Sequence, residues 1–137
     1  MAEKMKLEIV TPHSRVVDTL VDEVTATGAL GEFGVLPGHA PLLTSLKIGE
    51  LCFKNEGTLS CMALNWGYFE VKDDKIIVLV ETAERSEDID LERAKLAAAK
   101  AEDNLKKLDP EDRRFKEQEA ALQRALIRMQ VAAKAAR

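Results

Sequence analysis

Residues Gly31–Leu46 read GEFGVLPGHAPLLTSL. The stretch holds three glycines, two prolines and one of the chain's two histidines, and it leads directly into apolar residues. Three readings compete: a phosphate-cradling loop, a catalytic corner around His39, and scaffold that presents a surface. The first fails, because neither G-x-x-x-x-G-K-[ST] nor G-x-G-x-x-G between a strand and a helix is present. The second has little behind it. His13 is the only other histidine, and no G-x-S-x-G or Cys/His signature accompanies either residue. Gly31, Gly34 and Gly38 then serve as positions whose backbone conformation other residues cannot adopt, within a structural or contact segment.

Outward from this stretch, short strand-like runs alternate with turn signals as far as Glu84. Leu7–Val10 ends at Pro12. Leu20–Thr27 mixes β-branched and acidic residues before Gly28. Leu51–Phe53 and Leu59–Leu64 flank Asn55-Glu56-Gly57, while Tyr68–Val71 and Ile76–Val80 flank Lys72-Asp73-Asp74-Lys75. Short strands with hairpin-like turns and no intervening helix indicate an antiparallel sandwich or barrel and argue against a parallel α/β fold.

Beyond that point the period becomes helical. Leu91, Ala94, Ala98, Ala101, Leu105 and Leu108 are spaced 3, 4, 3, 4, 3 and form one stripe, with Asp88 or Asp90 as the cap. Asp109-Pro110 then restarts a helix, with Asp109 as N-cap, and Phe115, Leu122, Leu126, Met129 and Ala133 form its stripe. So short a connection makes the helices antiparallel neighbours. Alanine removes little apolar area from water, so the hairpin is expected to be strongly helical yet weakly docked. The same composition is equally compatible with a permanently docked bundle.

The remaining composition sets limits. The chain has 137 residues, 46% of them hydrophobic and 32% charged, enough for one core with an appendage. Aromatics at 4% and a net charge of -4 argue against a nucleic-acid surface. No apolar run is long enough to cross a bilayer, and the N-terminus Met1–Lys6 has the character of neither a secretory signal nor a transit peptide, so a cytosolic chain is expected. Cys52 and Cys61 match no zinc spacing and sit where they could lie opposite each other; two reduced thiols are expected in that compartment. No metal cluster appears at ligand spacing. Asp90 with Arg93, and Arg124 with Arg128, share helix faces. Convergence of those faces would surround one volume with three guanidiniums suited to phosphate; a solvated charged face is the simpler alternative.

Taken together, VTPHSRVV, GEFGVLPGHAPLLTSLKIGEL, WGYFEV and AERSEDIDLERA, in this order and followed by a helical hairpin, resemble the ε subunit of bacterial F-type ATP synthases over nearly the whole chain. One departure is Asn65-Trp66 before Gly67, where relatives often carry a small residue and a glycine. The resemblance implies a β-sandwich of about ten strands over residues 1–86 and a mobile regulatory hairpin over 87–137. It implies a non-catalytic central-stalk subunit with γ, the c-ring and the catalytic α/β subunits as partners. Such a subunit sits peripherally on the cytoplasmic face of the bacterial inner membrane, held there only through the complex. Within Gly31–His39, the residues Glu32, Phe33, Gly34 and His39 would be partner contacts. The hairpin would restrain ATP hydrolysis when extended, with Arg113, Arg114, Arg124 and Arg128 available to acidic surfaces. Some bacterial relatives bind ATP through [IL]-D-x-x-R-A, which here is Ile89-Asp90-Leu91-Glu92-Arg93-Ala94, together with two second-helix arginines, here Arg124 and Arg128; Glu84 matches a further contact position. No cofactor is required on this reading, and ATP is a regulatory ligand. A free-standing nucleotide-sensing adaptor with a switchable hairpin is the alternative.

Overall fold

The structure is a computed structural model that describes residues 3–135; positions 1–2 and 136–137, the outer ends of the two expected domains, lie outside it. Seven strands precede two helices: β1 Met5–Val10, β2 Arg15–Val21, β3 Glu23–Gly28, β4 Gly31–Val35, β5 Leu42–Asn55, β6 Thr58–Lys72 and β7 Lys75–Arg85. A 3-10 turn at Ser86–Asp88 leads to α1 Leu91–Lys107 and α2 Arg113–Ala135. The strands form one hydrogen-bonded sheet in the order β2-β1-β7-β6-β5-β3-β4. That sheet folds over into a sandwich: Val17 and Val21 from one end strand share a core cluster with Val35 from the other. Leu7, Ile9, Leu51, Met62, Phe69 and Ile76 fill the space between.

Seven strands replace the ten or so that the resemblance implies, because segments that read as separate short strands are continuous. Leu59–Leu64 and Tyr68–Val71 are two ends of β6, a strand of 15 residues, and β5 has 14. Conversely, Leu20–Thr27 is two strands broken at Asp22, whose N–H donates to the Lys54 carbonyl and whose carboxylate accepts the Glu56 N–H at 2.7 Å. That bond, with Lys4 nearby, holds the Asp22 pKa below the ordinary carboxylate value. The pairing is antiparallel except for β1 with β7, which run parallel. The turns Glu56-Gly57 and Asp73-Asp74 both take positive φ at two residues, the backbone required by tight two-residue hairpins.

The pairing of β5 with β6 lapses between Leu46↔Gly67 and Gly49↔Leu64 without a change of register, and β3 shifts register against β5 nearby. Trp66, the departure noted in the sequence, occupies this lapse with a φ of 38°, a conformation that suits glycine better than an indole side chain. Beside it the backbones come close: a Cβ on Gly67 would lie 1.9 Å from the Leu79 carbonyl oxygen.

Two helix details also differ from the sequence reading. Asp90 caps α1 by accepting the Arg93 N–H at 3.0 Å, but α2 starts at Arg113. Asp109–Asp112 is a turn, and Asp112 rather than Asp109 accepts the amide of the new helix, Arg114 N–H, at 2.9 Å. In the second stripe Leu126 and Ala133 are exposed, while Ala125 and Val131 are buried. The line shifts because α2 serves two partners, α1 and the sheet.

Gly67→Ala should lower the free energy of unfolding by about 3 kcal/mol, because the added carbon meets backbone rather than a flexible side chain; urea denaturation reads this directly. The Arg114 guanidinium and N–H hold Asp112 down to a pKa of about 2. A depressed folded-state pKa means that the cap contributes stability above the ordinary value near 3.9 and loses it as the pH falls through the folded one. A carboxyl NMR titration should therefore give Asp112 a midpoint near 2, with the first turn of α2 fraying below it.

Candidate functional site

Alternation on the β5–β6 hairpin builds a second apolar surface. Leu51, Phe53, Met62 and Leu64 point into the sandwich, so Cys52, Cys61 and Ala63 point to the opposite face. There they meet Ile89 and Val131, with Ile127 and Ala132 packed at the edge of the cluster. Val131 is fully buried, and Cys52 and Cys61 are 8% and 4% exposed. The helix α2 is therefore the layer that docks on the sheet, and α1 packs on α2 through Ala94, Ala98 and Ala101.

Two ion pairs flank this cluster. Arg128 pairs with Glu84 of β7: its Nη2 donates to Oε2 at 3.0 Å, while Nε lies 2.9 Å from Oε1 as an ion-pair contact without hydrogen-bond alignment. Lys134 pairs with Glu50 of β5. Between Arg128 and β6 lies a cleft lined by Asn65, Thr82, Glu84, Arg124, Ile127 and Arg128, among others, with a cavity volume of about 30 Å3. That is far below the roughly 300–1,000 Å3 of typical small-molecule sites.

The structure thus brings together three of the seven residues expected around a nucleotide: Glu84, Arg124 and Arg128. Asp90 and Arg93 are exposed at the start of α1, and Ile89 and Ala94 are buried as packing residues; none of the four lines the cleft. Ile89 nevertheless packs in the cluster that contains Ile127 and Val131, so the start of α1 lies along the same part of α2 as Arg128. Of the expected partner contacts, Glu32 and Gly34 are exposed on β4, an end strand of the sheet. The Phe33 ring packs edge-on against Phe69 at 4.9 Å, which commits it to the core. His39 is half-buried, and its Nδ1 donates to the Ala40 carbonyl at 2.7 Å. Exposed Leu30, Leu36 and Leu43 surround this segment.

The expectation of two reduced thiols is corrected. Cys52 and Cys61 are direct cross-strand partners with Cα atoms 4.1 Å apart, and they form a disulfide. Glu50 lies beside them, the one group of potential metal ligands gathered among the described residues, but both sulfurs are bonded to each other and Glu50 pairs with Lys134. Sequence spacing missed this docking face, although one signal was available. Leu51-Cys52-Phe53 and Cys61-Met62-Ala63-Leu64 do not alternate with polar residues, as strands covered on both faces do not.

Residues 4–86 match the ATP synthase Delta/Epsilon chain beta-sandwich domain and residues 87–133 the Delta/Epsilon chain long alpha-helix domain, and the chain belongs to this family. It is 78% identical over 137 residues to the ATP synthase epsilon chain of Trichlorobacter lovleyi and 67% identical to that of Geobacter sulfurreducens, in each case covering all of this chain and 99% of the relative. A chain in the cryo-EM structure of the Euglena gracilis mitochondrial ATP synthase is similar in fold, with a TM-score of 0.81 at 23% identity over 97% of this chain and 81% of that one.

Because the docked face is small, single substitutions should release it. Val131→Ala should cost about 2 kcal/mol of docking from lost methyl burial and the space left behind. Arg128→Ala should cost about 1 kcal/mol, since the pair is partly exposed and solvent weakens it. In both variants amide exchange across α2 should accelerate while exchange in β5–β7 stays unchanged.

Proposed function

We propose that the chain is the epsilon subunit of a bacterial F-type ATP synthase, a non-catalytic central-stalk component at the cytoplasmic face of the inner membrane. Its sandwich joins γ and the c-ring, and its hairpin restrains ATP hydrolysis by leaving the sheet and rising toward the catalytic α/β subunits. Family membership and the full-length likeness to epsilon chains support the assignment. The end strand β4, with exposed Glu32 and apolar Leu30 and Leu36 beside it, suits the partner-facing role. No helix among the described residues is long and apolar enough to cross a membrane, in keeping with attachment through partners.

The observation that carries the regulatory part is the Arg128–Glu84 ion pair. It is one of the few ties between hairpin and sandwich, and its guanidinium has the geometry that also recognises phosphate oxygens. With the cleft at its present size, ATP must take Arg128 from Glu84 and draw in Arg124 and Arg93. Asp90 and Ile89 would then serve mainly to place the start of α1. ATP bound only to the folded hairpin stabilises that state by its differential affinity, so falling ATP releases the hairpin.

Calorimetric titration of the full chain with ATP, with and without Mg2+, tests this beside an Arg93→Ala/Arg128→Ala variant. Saturable binding that the variant loses is the expected result. Absence of binding up to millimolar ATP removes the nucleotide-controlled part and leaves the arginines as contacts for the catalytic head. Affinity purification addresses the stalk assignment separately, because a free-standing adaptor would not retain γ and the catalytic subunits.

A further inference from the structure

The Cys52–Cys61 disulfide lies at the centre of the face on which α2 docks, with Val131 of α2 in the same buried cluster. Neither sulfur belongs to the sandwich core, whose cluster is formed by the alternate residues of the same strands. The bond is therefore covered by the hairpin, with Glu50 of the sheet beside it, and the hairpin is held by a small apolar cluster and two ion pairs. We propose that this pair is a redox latch: the docked hairpin shields it from dithiol reductants, and its reduction loosens the hairpin.

The exchange is a two-electron transfer from a dithiol. A reductant thiolate attacks one Sγ, the S–S bond breaks, and the other sulfur leaves as a thiolate that takes up a proton. The reductant's second thiol then attacks the mixed disulfide, closing its own disulfide and releasing the second cysteine as a thiol. In-line attack needs an exposed sulfur, so the hairpin must lift first. After reduction the sulfurs are no longer bonded, and non-bonded contact keeps heavy atoms roughly 3.5–4 Å apart, against about 2.05 Å in a disulfide. The pair then needs more room beneath Val131, whose side chain has no exposure to yield. Docking and disulfide thus favour each other reciprocally.

This inference rests on the hairpin being movable, as proposed above, but not on nucleotide binding. The test uses the full chain with dithiothreitol as the reductant and alkylation read by mass spectrometry. Val131→Lys and the milder Arg128→Ala serve as undocked variants, and amide exchange in β5–β7 verifies that each sandwich is intact. Reduction should be at least tenfold faster in Val131→Lys than in the natural sequence, with Arg128→Ala between them. Exchange over α2 should rise several-fold once the natural chain is reduced. Equal reduction rates in the three proteins, or a dithiol that persists in air-equilibrated buffer, would overturn the latch. If α2 exchanges rapidly but is indifferent to reduction, the latch alone fails. If α2 opens in neither redox state nor in either variant, the movable hairpin fails with it.

Discussion

The β5–β6 hairpin has two apolar faces, and the rest of the molecule is arranged to cover them. One face closes the sandwich through Leu51, Met62 and Leu64; the other, carrying Cys52, Cys61 and Ala63, would be an exposed apolar patch without α2. A sheet that must be covered twice needs a third layer, and α2 of the C-terminal hairpin supplies it. Both faces are carried by the same stretches, 51–53 and 61–64, whose alternate side chains point to opposite sides of the sheet.

The two faces differ greatly in extent, as the proposal of a movable hairpin on a permanent sandwich requires. The sandwich buries Met5, Leu7, Ile9, Leu51, Phe69 and Ile76 almost completely. The docking face offers five buried residues, two of them the disulfide half-cystines. At about 25 cal/mol per Å2 of apolar area, so few small side chains stabilise a contact by only a few kcal/mol. Within the hairpin, α1 contributes buried alanines to its contact with α2, while Leu96 faces solvent at 72% exposure. Helicity thus comes from composition, with docking left to a handful of contacts.

Much of this was legible in the sequence, for physical reasons that also explain the failures. The helical stripes and the turns at Glu56-Gly57 and Asp73-Asp74 are local features, and local features survive folding. Strand continuity is not local. Nothing in Leu59–Val71 announces that the chain passes through Trp66 without ending the strand, since a tryptophan with positive φ is tolerated only because neighbouring strands hold it. The cap of α2 was misplaced from Asp109 to its near neighbour because Asp109-Pro110 and Asp112 both suit a helix start, and the choice falls to the Arg114 side chain, which binds Asp112. The arginine pair was visible as spacing. Its partner Glu84 lies 44 residues away, so spacing within α2 could not supply it. The cysteines were read from compartment chemistry, whereas their pairing follows from cross-strand register.

Under the proposed function, Arg128 is where stability and regulation meet. Its guanidinium is paired with Glu84 in the folded hairpin. Any anion that binds Arg128 there must exchange one carboxylate contact for its own, so its net effect on docking is the difference between two charge-assisted interactions rather than the whole of one. A phosphate held by Arg128 alone would leave Glu84 half-buried beside a second negative charge, which loosens the hairpin. A phosphate that also engages Arg124 or Arg93 brings compensating positive charge and ties the two helices together. Under the proposed function the sign of regulation would depend on how many arginines the ligand gathers, and Arg124 in the same cleft would let a polyphosphate close the hairpin instead of opening it.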